Sequence, residues 1–248
     1  MEINLEENER IDDLEYKNLK IIQNKEWFRF GIDSVLLSDF AKEIKKGSKV
    51  LDLGTGTGII SILLCGKTEL KKIIGIEIQE DVYKMANKSI LLNNLENRFE
   101  VINEDIKNLR NIFPANSIDA IVTNPPYKKE NTGLKSKNMV EQISKHEILC
   151  KLEDIIKQSS FLLNNNASFY MVHRPDRIAD IIELLRKYKL EPKKIRLVYP
   201  KISKEPNLVL IKATKGAKSF LKIEKPLIVY NENGEYTDEI LEIYDKKR

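Results

Sequence analysis

Cysteine is scarce in this 248-residue chain, and the two present, Cys65 and Cys150, stand far apart without any Cys-x-x-Cys or Cys/His spacing. That excludes a disulfide framework and gives no zinc signal, so both read as core residues and no metal is expected. Long apolar runs are also missing. None approaches the roughly 18 residues that a membrane-crossing helix needs, and the opening MEINLEENER is acidic where a secretory signal would be basic. A cytoplasmic protein with no membrane partner is the expectation. Internal repeats and low-complexity linkers are absent too. What remains, with 42% hydrophobic residues, is enough chain to bury one full core.

The net charge of +4 is mild but unevenly spread. From Lys128 to Lys222 there are 21 Lys and Arg against 10 Asp and Glu, which leaves the rest acidic. A basic half beside an acidic half suits a polyanion on one face, although charge runs are as readily solvated surface.

From Lys49 onward, short β-rich runs alternate with helical stretches. Strands are predicted at 49–53, 73–78, 99–102, 118–123 and 168–172, and helices at 59–65, 82–92, 147–163 and 176–188. Asn164, Asn165 and Asn166 are expected to stop the third helix in a turn. The runs 194–199 and 208–213 follow with no helix between them, so they should pair antiparallel. The fold class is α/β: a doubly wound, mostly parallel sheet with an antiparallel edge strand. Residues 1–48 read as an N-terminal hairpin or lid, 49–215 as the core, and 216–248 as an extension that adds little.

VLDLGTGTGII sets Gly54, Gly56 and Gly58 between a predicted strand and a predicted helix, where a tight turn lets a ligand lie against the backbone. Glu77 ends the next strand, 19 residues after Gly58, where a carboxylate can accept from both ribose hydroxyls. Asp105 follows the third strand and can accept from an adenine amino group. Each acid could equally be a helix cap or a solvated strand end. Dinucleotide enzymes and methyltransferases share this layout, so it indicates an adenosine-containing ligand without saying which.

The fourth strand leads into Asn124, Pro125, Pro126 and Tyr127, at the strand end where doubly wound sheets bind ligands. An exocyclic adenine amine, or a glutamine amide, is a poor nucleophile because its lone pair is delocalised. Acceptance of its N–H hydrogens by the Asn124 side-chain oxygen and the Pro125 carbonyl would favour a pyramidal nitrogen. Tyr127 would stack on the planar group. These four form the expected catalytic set.

Together the segments resemble class I S-adenosylmethionine methyltransferases: DLGTGTG at Asp52 to Gly58, Glu77, Asp105, and NPPY at Asn124 to Tyr127. FRFGIDSVLLSDFA (Phe28 to Ala41), the pair His146 and Glu147, and HRPDR (His173 to Arg177) are further similar to the bacterial tRNA adenosine N6-methyltransferases, which modify the adenosine beside the anticodon of a valine tRNA. The resemblance implies S-adenosylmethionine as cofactor. Gly54, Gly56 and Gly58 would face its methionine part, Glu77 the ribose and Asp105 the adenine, with Asp33 near the donor. Asp52, Ile78, Ile106 and Asn124 complete the cofactor-binding set. The implied substrate is tRNA through its anticodon stem-loop.

Tyr127, Lys128, Lys129, Arg174 and Arg177 are the expected substrate contacts, and Lys135 and Lys137 lie in the same basic stretch. His173, Arg174 and Arg177 could grip phosphate or cap a loop. His146, Trp27, Phe28 and Phe30 read first as packing residues. Two other functions stay open. A glutamine-amide methyltransferase of release factors uses the same Asn-Pro-Pro-Tyr, but carries a helical N-terminal domain that 48 residues leave little room for. A cofactor-binding RNA module without catalysis would not need the amine-activating motif. A DNA methyltransferase would need a sequence-reading domain.

Overall fold

The computed structural model describes residues 4–26, 31–125 and 151–246. Pro126, Tyr127, Lys128, Lys129, Lys135, Lys137, His146, Glu147 and Cys150 lie outside the described residues, as do Trp27, Phe28 and Phe30.

The chain opens with a hairpin, β1 (Glu9–Asp13) antiparallel to β2 (Lys20–Asn24). Helix α1 (Ile32–Phe40) follows, then β3 (Lys49–Leu53), α2 (Ile59–Lys67), β4 (Lys72–Glu77), α3 (Glu80–Leu92), β5 (Phe99–Asn103), a 3-10 turn (Ile106–Asn111) and β6 (Ile118–Thr123). The second half holds α4 (Leu152–Leu162), β7 (Leu163–His173), α5 (Ile178–Lys187), β8 (Leu190–Tyr199), β9 (Leu208–Lys215), β10 (Lys222–Ile223), β11 (Leu227–Ile228) and α6 (Asp238–Ile243).

The strand runs are rich in Val, Ile and Leu and buried on both faces, as a parallel sheet covered by helices requires. Successive residues point to opposite sides. Val50, Ile73 and Val122 join a core with α1, α2 and α6, whereas Leu51, Ile74 and Ile121 join a second core with α4 and α5. The sheet order is β10-β8-β9-β7-β6-β3-β4-β5, with β11 also on β8. β5, β4, β3, β6 and β7 pair in parallel, and β9 runs antiparallel to both β7 and β8. This is the expected doubly wound α/β sheet with its antiparallel pairing at one side. Strand order reverses between β3 and β6, which sets a crevice at their carboxyl ends.

Two local expectations need correcting. Asn164 to Asn166 do not form a turn, since α4 passes directly into β7, and the positive φ of Asn166 (64°) accompanies a register shift against β6. Residues 216–248 do more than trail, because β10 and β11 extend the β8 edge while Leu227, Val229, Ile240, Ile243 and Tyr244 are buried. The segment around Asp33 is a helix, α1, whose Val35, Leu36 and Leu37 are buried in the same core cluster as α2 residues.

Of the two N-terminal readings the hairpin is present, and it lies on α3. The Ile22 N–H donates to Ser89 Oγ at 2.9 Å, and Lys88 pairs with the buried Glu9 at 2.7 Å. No helix among the described residues is long and apolar enough to cross a membrane.

Candidate active site

At the crevice Leu53 of β3 lies opposite Thr123 of β6, and Thr123 Oγ1 donates to the Leu53 carbonyl at 2.9 Å. The two strands thus leave the sheet side by side, one into the glycine turn and the other into Asn124 and Pro125. The turn is closed by Gly54 and Thr55 N–H groups that both donate to the Ile76 carbonyl at 3.0 Å.

The three glycines differ in use. Gly54, Gly56 and Gly58 all have positive φ, at 71°, 59° and 93°. A Cβ on Gly54 or Gly56 would meet nothing within 4 Å, whereas one on Gly58 would sit 2.9 Å from Phe99 Cε1. The first two open onto free space, and the third lets α2 close against β5.

Asp52 is fully buried beneath the turn. Its Oδ2 accepts from Thr55 Oγ1 at 2.7 Å and Ser61 Oγ at 2.8 Å, while Oδ1 has no hydrogen-bond partner among the described residues. Burial pushes the carboxyl up to about 6. An unpartnered buried carboxylate oxygen costs free energy until a donor arrives. Beside an open glycine turn, it fits a ligand that carries an ammonium group, such as an amino acid moiety.

Glu77, buried at the end of β4, accepts the Gly56 N–H on Oε2 at 3.1 Å and the Gln79 N–H on Oε1 at 2.9 Å. Next to it Ile78 is exposed, an apolar side chain free to cover a flat ring. Asp105 serves as a cap: it accepts the Lys107 N–H on Oδ1 at 2.9 Å and pairs with Lys107 Nζ at 3.3 Å through Oδ2. Ile106 packs against the core from the first position of that 3-10 turn.

Asn124 is half-buried. Its Nδ2 donates to Asp33 Oδ2 and to Ser34 Oγ, each at 3.2 Å. This link, spanning 91 residues, is the part of the site that the sequence does not reveal; the family resemblance puts Asp33 near the donor but gives it no partner.

At the end of β7 the expected phosphate grip loses one member. His173 is buried, its Nδ1 accepts the Arg174 N–H at 2.8 Å, and burial lowers its pKa to about 4, so it is a neutral packing residue. Arg174 pairs with Asp176 at 3.0 Å and Arg177 with Asp180 at 2.6 Å, both partly exposed on the carboxyl side of the sheet. Among the described residues no group of three or more His, Cys, Asp or Glu could hold a metal.

An open glycine turn abutting an Asn-Pro at the reversal of a doubly wound sheet is the layout of a class I S-adenosylmethionine-dependent methyltransferase. More narrowly, the chain belongs to the methyltransferase small domain family, whose model matches residues 31–177. S-adenosylmethionine is its methyl donor.

Curated relatives named tRNA1(Val) (adenine(37)-N6)-methyltransferase include those of Flavobacterium johnsoniae (24% identical over 229 residues, 92% of this chain and 96% of the relative) and Porphyromonas gingivalis (28% over 204 residues, 80% and 79%). Among solved structures, "a predicted O-methyltransferase" from Agrobacterium tumefaciens superimposes with a TM-score of 0.70 at 20% identity, covering 86% of this chain and 96% of that one. M. jannaschii TYW2 in complex with AdoMet gives 0.57 at 14% identity, with 85% and 87% covered.

Proposed function

We propose that this chain methylates the N6 amine of an adenine in tRNA, at the position beside the anticodon that its curated relatives are named for. The observation that carries the reading is the Asn124 amide at the crevice, beside the open glycine turn, with no donor to its Oδ1 among the described residues.

S-adenosylmethionine, when bound, would supply an electrophilic methyl group whose leaving group is a neutral thioether. Glu77 would hold the ribose hydroxyls, Asp52 and the turn from Gly54 to Gly58 the amino acid end, and Ile78, Asp105 and Ile106 the adenine. Asn124 Oδ1 and the Pro125 carbonyl would accept the two N–H hydrogens of the target amine, favouring a pyramidal nitrogen. Pro126 would stiffen the loop and Tyr127 stack on the base. Lys128, Lys129, Arg174 and Arg177 would meet the phosphates of the anticodon stem-loop. A base already unstacked in an RNA loop needs no helix opening before it enters the crevice.

The test is incubation with labelled S-adenosylmethionine and either unmodified bulk tRNA or release factor, followed by digestion to nucleosides and amino acids. Labelled N6-methyladenosine from tRNA supports the reading. Label only in glutamine keeps the amine chemistry and overturns the substrate.

A further inference from the structure

We propose that Asp33 and Ser34 are positioning residues for methyl transfer: they hold the Asn124 amide with its nitrogen turned toward α1, so that Oδ1 is the atom left to receive the substrate amine. The inference rests on the reading of Asn124 given above and adds what makes that side chain competent.

A primary amide has two chemically opposite ends on one rotatable group, and only the oxygen can accept an N–H. With nothing to hold it, a half-buried Asn would present either end, and the nitrogen would meet a substrate amine donor to donor. Here both contacts to Nδ2, Asp33 Oδ2 and Ser34 Oγ at 3.2 Å, come from consecutive residues in the first turn of α1. A carboxylate can only accept, so its contact assigns the amide orientation unambiguously.

Asp33 is itself held. The Ser34 N–H donates to its Oδ1 at 3.0 Å, and a Cβ at Gly31 would collide with that same oxygen, so any side chain at position 31 would push the carboxylate aside. Ser34 is buried, and the helix below is anchored by Val35, Leu36 and Leu37.

There is an electronic consequence as well. A hydrogen bond from an amide N–H to a carboxylate draws electron density toward the amide oxygen, which makes Oδ1 a stronger acceptor for hydrogens whose nitrogen is gaining positive charge. The arrangement acts where charge develops, so its loss should appear in turnover more than in binding.

The experiment is a double-mutant cycle on the full chain with tRNA as substrate. Asp33→Asn, Ser34→Ala and Asn124→Ala are made singly, and Asp33→Asn is combined with Asn124→Ala. Turnover and KM for tRNA are read by label incorporation, cofactor affinity by calorimetry, and folding by thermal melting. Asp33→Asn should lower kcat by about tenfold, with KM and cofactor Kd within about twofold, and should lower it no further when Asn124 is already Ala. Loss of cofactor affinity in step with kcat would make Asp33 a donor contact and overturn the proposal. So would an additive loss in the double mutant. If Asn124→Ala keeps full turnover, the underlying reading of Asn124 fails and this inference falls with it, an outcome distinct from both.

Discussion

The Gly56 N–H donates to Glu77 Oε2 at 3.1 Å, joining the open middle of the glycine turn to the acid at the end of β4. The same carboxylate also accepts the Gln79 N–H at 2.9 Å, so Glu77 braces two loops besides any ligand. Glu77→Ala is expected to weaken S-adenosylmethionine by at least about tenfold, of the order of one to two charge-assisted hydrogen bonds. Unchanged affinity in calorimetry would remove Glu77 from the cofactor.

Asn124→Ala deletes the proposed acceptor without touching the glycine turn. Turnover on tRNA should drop on the order of a hundredfold, comparable to losing one preorganised transition-state contact, while cofactor Kd stays near the wild-type value. A matching loss of cofactor affinity would assign Asn124 to binding instead.

Asp52 makes stability depend on pH. Its folded-state pKa lies near 6 because burial disfavours the charged form, above the ordinary carboxylate value in the unfolded chain. The folded state holds the proton more tightly, so this group's contribution is fully present below about pH 4 and is lost as pH rises through about 6, with a ceiling of roughly 3 kcal/mol. The difference in melting temperature between wild type and Asp52→Asn, measured without cofactor, should shift against wild type across that window. A flat difference would show that Asp52 titrates normally.

The glycines offer a contrast within one turn. Gly58→Ala adds a methyl 2.9 Å from Phe99 Cε1 at φ 93°, and is expected to cost about 2 kcal/mol or more in urea unfolding. Gly56→Ala meets open space at φ 59°, so it should cost only about 1 kcal/mol while reducing cofactor affinity more. Equal effects on stability would contradict this division of roles.

Ile240 is fully buried in α6, within a stretch that reads as a charged tail. Ile240→Ala should lower unfolding free energy by about 3 kcal/mol, measured by denaturant titration. A loss under about 1 kcal/mol would mean the helix is only loosely applied.

Much of this architecture is legible in the sequence where short-range pattern decides it. Lys49–Leu53 and Ile118–Thr123 are apolar runs bounded by turn residues, and both strands have the expected limits. Helix α1 escaped because Ser34, Val35, Leu36, Leu37 and Ser38 are all buried, which erases the polar face that marks a helix. The burial of Leu227, Val229, Ile240 and Ile243 is not legible in their own stretch, since the β8 edge and the α1 surface they cover are assembled from distant parts of the chain. The site divides the same way. Gly54, Glu77 and Asn124 announce themselves at strand ends, whereas the hold of Asp33 on Asn124 exists only once α1 is packed against α2 and β7.

Helix α6 lies against α1, Lys67 Nζ donates to the Ile243 carbonyl at 2.7 Å, and Lys246 pairs with Glu15. During synthesis, the helix that carries Asp33 and Ser34 emerges early but keeps an uncovered apolar flank until residues 238–243 leave the ribosome. A chain stopped at residue 226 would hold every recognisable methyltransferase motif and still lack the residues that cover α1, so it is expected to carry those motifs beside a helix left partly bare.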